Sequence, residues 1–124
     1  MKTETPLKQD TRLQTKQVTP ALLSYIVEKI VREIGPKQII LFGSRAKGDA
    51  NELSDVDLFI VHESEKSNRE VRREIEYLLW GRRFGIDLIV RNSDDVAQNI
   101  ADSNPFYSQH IFAEGHVLYE QHAS

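Results

Sequence analysis

"IILFGSRAKGDANELSDVDLFIV", residues 39 to 61, decides the fold. One apolar run ends at Gly43 and Ser44, and a second follows with two aspartates one residue apart. Residues 38 to 42, "QIILF", are short, aliphatic and closed by glycine, as a buried strand requires. Residues 55 to 61 make a second strand on the same grounds. Alternate side chains of a strand share a face, so Asp55 and Asp57 project together with Cα atoms about 6.6 Å apart. A charge inside an aliphatic strand is costly unless compensated, and two adjacent carboxylates also repel. A divalent cation answers both problems, and an all-oxygen donor set selects Mg2+ or Mn2+.

Upstream, "VTPALLSYIVEKIVREIGPK" has Thr19 as a helix cap and Pro20 at the first helical position. Leu22, Leu23, Ile26, Val27, Ile30, Val31 and Ile34 form its apolar face, and Gly35 with Pro36 ends it. Downstream, Ser67 and Glu70 make a capping box ahead of a second long helix that Gly81 closes. "FGIDLIV" at 84 to 90 is a third strand, again with one aspartate, Asp87. If it neighbours the second strand, three carboxylates can hold two metal ions about 3.5 to 4 Å apart, the arrangement used for in-line displacement at phosphorus. Ser93 with Asp94 and Asp95 starts a short helix, Asn104 with Pro105 another, and Gly115 precedes a short strand, "VLYE". Helix, strand, strand, helix, strand predicts an α+β fold, a small mixed sheet covered by helices. Residues 1–18, polar and without periodicity, are expected to be a loose arm, and residues 19–124 a single domain.

At 124 residues the chain suits one core. A net charge of −3 gives no global field for nucleic acid or anionic membrane, so nucleic acid is not an expected partner. No apolar stretch approaches a membrane span, no secretory signal opens the chain, and there is no cysteine for disulfides or thiolate chemistry. A cytoplasmic location is expected. His62, His110, His116 and His122 lack metal spacing and are expected to pack or hydrogen-bond. Arg69, Arg72, Arg73, Arg82 and Arg83 alternate with Glu70, Glu74 and Glu76 and read first as a salt-bridged solvent face, second as a groove for RNA or an acidic partner.

"FGSRAKG" brings backbone close to a ligand at glycine, and a helix beginning there would aim N–H groups at an anion. Ser44 adds a hydroxyl, and Arg45 and Lys47 are candidate triphosphate contacts. It is not a Walker A loop, because Gly48 is followed by Asp49. Gly43-Ser44, ten residues, then Asp55-x-Asp57 resembles the signature of the DNA polymerase β-like nucleotidyltransferase superfamily. "GSRAKG" and "SDVDL" are closest to its minimal nucleotidyltransferases, and the similarity covers about residues 20 to 120.

That resemblance implies a nucleotidyltransferase fold. Gly43, Ser44 and Arg45 would bind the nucleotide; Asp55, Asp57 and Asp87 would be the catalytic, metal-binding carboxylates, holding two Mg2+ ions. It further implies ATP as substrate, with AMP moved to a hydroxyl of a macromolecular acceptor. Minimal members resemble antitoxins of toxin-antitoxin systems paired with a HEPN ribonuclease toxin, so the expected acceptor is a tyrosine of such a partner. The alternative is a non-catalytic subunit that binds nucleotide or masks its partner by contact. Oligomeric state is left open, since no heptad or other assembly pattern is visible.

Overall fold

Helix α1, Pro20–Ile34, is framed by its expected caps. Thr19 Oγ1 accepts from the Leu22 N–H at 3.1 Å, and Gly35 turns left-handed at φ 65° while its N–H donates to Val31 O. The computed structural model describes residues 10–121. Within them follow β1 (Gln38–Phe42), α2 (Ser44–Lys47), β2 (Val56–His62), α3 (Asn68–Leu78), β3 (Ile86–Asn92), α4 (Ser93–Ala101), a π-helix (Phe106–Ile111) and β4 (His116–Glu120). The capping box before α3 is complete: the Glu70 N–H donates to Ser67 Oγ at 3.1 Å and the Ser67 N–H to Glu70 Oε1 at 2.9 Å. At α4 the cap is Asn92 rather than Ser93, with the Asp94 N–H donating to Asn92 Oδ1 at 2.8 Å.

The strands form one sheet in the order β3-β2-β1-β4. β1 is antiparallel to both β2 and β4, whereas β2 and β3 run parallel, with α3 supplying the crossover a parallel pair needs. The sheet is therefore mixed and covered by helices, the α+β architecture that the sequence predicts. Strand alternation divides the core. Ile39, Leu41, Leu58, Ile60, Leu88 and Val90 pack with Ile26 and Ile30 of α1 and Val71 and Ile75 of α3. On the opposite face Ile40, Phe42, Phe59 and Val61 pack with Val96 of α4 and with Tyr107 and Ile111 of the π-helix. Asp57 has the parity of Phe59 and Val61, so it lies at the rim of this second face.

The expectation of a loose arm over residues 1–18 is corrected for residues 10–18; residues 1–9 and 122–124 lie outside the described part. Leu13, in a short 3-10 turn, and Val18 are fully buried in the α1/α3 core. The segment is sewn in by backbone bonds, Val18 N–H to Glu52 O at 2.8 Å and Arg83 N–H to Leu13 O at 3.2 Å. Asp10 accepts from Tyr25 Oη and from Lys29 Nζ on α1. Among the described residues no helix is long and apolar enough to cross a membrane.

Candidate active site

Parallel pairing places Asp57 directly opposite Asp87. Register partners share a face, so the two carboxylates leave the sheet side by side near the starts of β2 and β3. On the other flank of β2, Phe42 is the partner of Asp57, and β1 ends there. The next residue, Gly43, has φ 76° and ψ −153°, a conformation that side chains rarely adopt. A Cβ built on Gly43 would collide with Asp57 Oδ2 and stand 3.2 Å from its Cγ. The glycine thus gives Asp57 its room and starts α2 at Ser44. Ala46 and Lys47 N–H groups donate back to Gly43 O at 3.1 and 3.2 Å.

Asp55 precedes β2 and settles against another glycine. A Cβ on Gly85 would collide with Asp55 Oδ1 and lie 2.7 Å from Cγ. Val56 N–H donates to Gly85 O at 3.0 Å, which fixes the two chains at this point. The three aspartates are thereby brought to one end of the β2/β3 pair, with the glycine-serine turn beside them. Burial pushes the Asp57 carboxyl above its ordinary 3.8, and the negative charges of Asp87 and then Asp55 push it further. His110 opposes this rise. Its ring stands edge-on to Phe42 with centroids 5.5 Å apart, and its Nδ1 lies 3.5 Å from Glu114 Oε1.

The donor set is all carboxylate oxygen, and the mutual repulsion at Asp57 is what a hard divalent cation would relieve; both properties fit Mg2+. Ligating closure is a different matter. Among the described residues no three histidine, aspartate or glutamate side chains form a ready-made metal-holding group. The carboxylates are neighbours, Asp57 beside Asp87 and Asp55 against Gly85, rather than a finished cage. A groove of about 700 Å³ lies elsewhere, between α1 and α3, around Ile34 and Tyr77. Its lining carries Glu33, Glu70 and Glu74 with Arg73 but no glycine turn, whereas Asp57 has Gly43 pressed against its carboxylate, so the aspartates are the candidate centre.

Arg45 departs from its expected place at the triphosphate. Its guanidinium donates to Val18 O at 3.1 Å, Glu52 O at 3.0 Å and Ser54 O at 2.9 Å. It ties α2 to the N-terminal segment and to the loop that delivers Asp55. Ser44 is exposed at the start of α2, and Lys47 Nζ faces Glu114 Oε1 at 3.9 Å. Gly85 and His110 were missed as site residues by sequence reasoning. Nothing near Gly85 in the chain distinguishes it from a turn glycine, and His110 reaches the site only because the π-helix folds back over Phe42.

A mixed sheet with an acidic pair at adjoining strand starts beside a glycine-serine turn defines a domain built for nucleotidyl transfer. The nucleotidyltransferase domain model matches residues 24–108, and the chain belongs to that family. The match spans Gly43, Ser44, Asp55, Asp57, Gly85 and Asp87. A crystal structure of a candidate nucleotidyltransferase from Sulfolobus solfataricus is similar at 19% identity, with a TM-score of 0.58 over 92% of this chain and 91% of that one. A toxin-antitoxin structure with AMP-PNP is similar at 19% identity and a TM-score of 0.43, over 79% of this chain and 73% of that one. No curated protein matches the chain.

Proposed function

We propose that the protein is a Mg2+-dependent protein adenylyltransferase of the minimal nucleotidyltransferase type, moving AMP from ATP to a hydroxyl of a partner protein. The acceptor is a tyrosine of a HEPN-type ribonuclease toxin, which the modification silences, so the protein serves as the antitoxin. The observation that carries this reading is the side-by-side placement of Asp57 and Asp87 with Gly43 pressed against the Asp57 carboxylate.

Asp55, Asp57 and Asp87 would hold the metal ions, which when bound neutralise charge around the α-phosphorus and the attacking oxygen. Gly43 and Ser44 would receive the β- and γ-phosphates, because glycine lets the backbone approach and the first amides of a helix lack helical acceptors. Asp87, exposed on the edge strand, is the carboxylate an incoming hydroxyl would meet. It would accept the proton as the acceptor oxygen bonds to the α-phosphorus, while the bond to the bridging oxygen breaks and pyrophosphate leaves.

The test is transfer of label from α-labelled ATP, with Mg2+, to the product of the adjacent gene. Wild-type protein should label that partner on tyrosine and abolish its ribonuclease activity, and Asp57→Asn should do neither. If Asp57→Asn silences the partner as well as wild type while binding it equally, silencing is by masking and the enzymatic reading is wrong.

A further inference from the structure

β3 is an edge strand, paired only with β2 among the described residues. The Val56 N–H to Gly85 O bond sets the phase of that ladder. In a parallel pair the peptide groups of alternate residues then point to β2, and those of Ile86, Leu88 and Val90 point outward. Beneath α3 this edge forms a groove of about 420 Å³ lined by Asn68, Arg69, Arg72 and residues 88–91, of which Arg91 is the third cation.

The lining holds three guanidinium groups and no carboxylate, in a chain whose net charge is −3. Their existing ties are light. Arg69 makes no hydrogen bond or ion pair among the described residues, and Arg72 has an exposed i,i+4 contact with Glu76 at 3.5 Å. Arg91 is held more firmly, donating to Val90 O at 2.8 Å and to Tyr107 Oη at 3.2 Å. A second carboxylate near the groove, Asp95, accepts from Asn68 Nδ2 at 3.4 Å. The floor is aliphatic, Leu88, Ile89 and Val90, with no aromatic ring on which a base would stack. A strand edge with the peptide groups of Ile86 and Leu88 turned outward, an apolar floor and three arginines of which only Arg72 meets a carboxylate among the described residues complement an extended acidic polypeptide better than RNA.

We propose that the outer edge of β3, flanked by Arg69, Arg72 and Arg91, is the docking track for an extended acidic segment of the acceptor protein, which adds to the sheet as a further strand. The role of this segment in catalysis rests on the transferase reading above; its docking does not. A strand added here lies about 4.8 Å from β3. Its residue opposite Asp87 would project on the face that Asp57 and Asp87 share, which is where an acceptor hydroxyl is needed. Arg91 lies on that same face about 13 Å further along. Arg69 and Arg72 stand on the α3 side, so acidic residues on both faces of the segment find a cation.

The probe is a fluorescein-labelled peptide of alternating Glu and Thr residues with one central Tyr, followed by anisotropy at low salt without ATP or Mg2+. It should bind the full-length protein, weaken as salt rises, and lose at least about tenfold in affinity with Arg69→Glu plus Arg72→Ala. Methylating its alternate backbone nitrogens should abolish binding. Unchanged binding by the arginine variant, or by the methylated peptide, overturns the proposal. So does stronger binding of single-stranded oligoadenylate of equal charge, which would make the groove a nucleic-acid surface. Label transfer to the peptide tyrosine is scored separately. Docking without transfer by a protein that also fails to label its partner overturns the transferase reading alone; partner labelling that ignores the arginine variant overturns the docking track alone.

Discussion

Asp57 and Asp87 stand in register on parallel strands, directly opposite each other across the β2/β3 ladder. Burial and the charges of Asp87 and Asp55 raise the Asp57 carboxyl above 3.8. A raised folded-state value favours folding while the group is protonated, and that contribution disappears as pH rises through the raised value. Ionised Asp57 therefore opposes folding at neutral pH. Asp57→Asn should raise Tm by a few degrees at pH 7, with the difference vanishing below the ordinary value of 3.8. Mg2+ should raise the Tm of wild type and leave that of the variant unchanged, and nucleotidyl transfer should fall by ~100-fold or more. Thermal melts over a pH series and labelled-AMP transfer check the two halves independently; a lower Tm for the variant at pH 7 refutes the repulsion argument.

Two glycines are predicted to fail differently. Gly43→Ala combines a left-handed φ of 76° with a collision against Asp57, so it should lose about 1 to 3 kcal/mol of stability and its nucleotide binding together. Gly85→Ala has no such backbone penalty and collides only with the Asp55 carboxylate. Adding Asp55→Ala to Gly85→Ala should recover stability without recovering transfer, because the colliding group is then gone along with its function. A double-mutant cycle by urea unfolding reads this coupling directly, and strict additivity of the two changes would show that the glycine and the aspartate do not meet.

Much of this arrangement was legible because it is written in local chemistry. Thr19, Pro20 and Gly35 mark the ends of α1, and Ser67 with Glu70 opens α3, since caps are satisfied within a few residues. The face shared by Asp55 and Asp57 also follows from strand alternation. That Asp87 joins them was conditional, for it depends on β3 choosing β2 as its neighbour, a pairing set by the α3 crossover rather than by any short stretch. Leu13 and Val18 are single apolar residues in a polar tract, with no period to reveal a core position. Arg45 looked like a phosphate ligand because its carbonyl partners at Val18, Glu52 and Ser54 come from segments whose approach the sequence does not announce.

Arg45 is accordingly predicted to act on stability first. Three backbone carbonyls in two segments receive its guanidinium, and bonds from a charged donor contribute about 1.5 to 3 kcal/mol each at most, with partial compensation by water. Arg45→Ala should cost about 2 to 4 kcal/mol in urea unfolding. Arg45→Lys should recover little, because an ammonium cannot span the fork that the guanidinium bridges. Ser44→Ala, at an exposed side chain whose hydroxyl makes no hydrogen bond among the described residues, should instead leave Tm within about a degree or two while weakening ATP binding. Calorimetric titration of ATP against both variants separates the roles: if Arg45→Lys keeps wild-type stability but loses ATP, the arginine belongs to the triphosphate after all.

The last prediction concerns the segment before α1. Leu13 is fully buried among α1 and α3 residues, and its carbonyl accepts from the Arg83 N–H at the turn leading to Gly85 and β3. Leu13→Ala removes buried apolar volume that its neighbours cannot fully refill, so it should cost about 2 to 5 kcal/mol. A second tie titrates. Burial pushes the Asp10 carboxyl up, but hydrogen bonds from Lys29 and Tyr25 outweigh it and hold the group below 3.8. A lowered folded-state value adds stability above the ordinary value that is lost as pH falls through the lowered one. Asp10→Asn should therefore be less stable than wild type at pH 7 and converge with it under strong acid, the reverse of the trend for Asp57→Asn. Melting both variants across the same pH series tests whether residues 10–18 belong to the fold: a Leu13→Ala protein as stable as wild type would return that segment to the status of a loose arm.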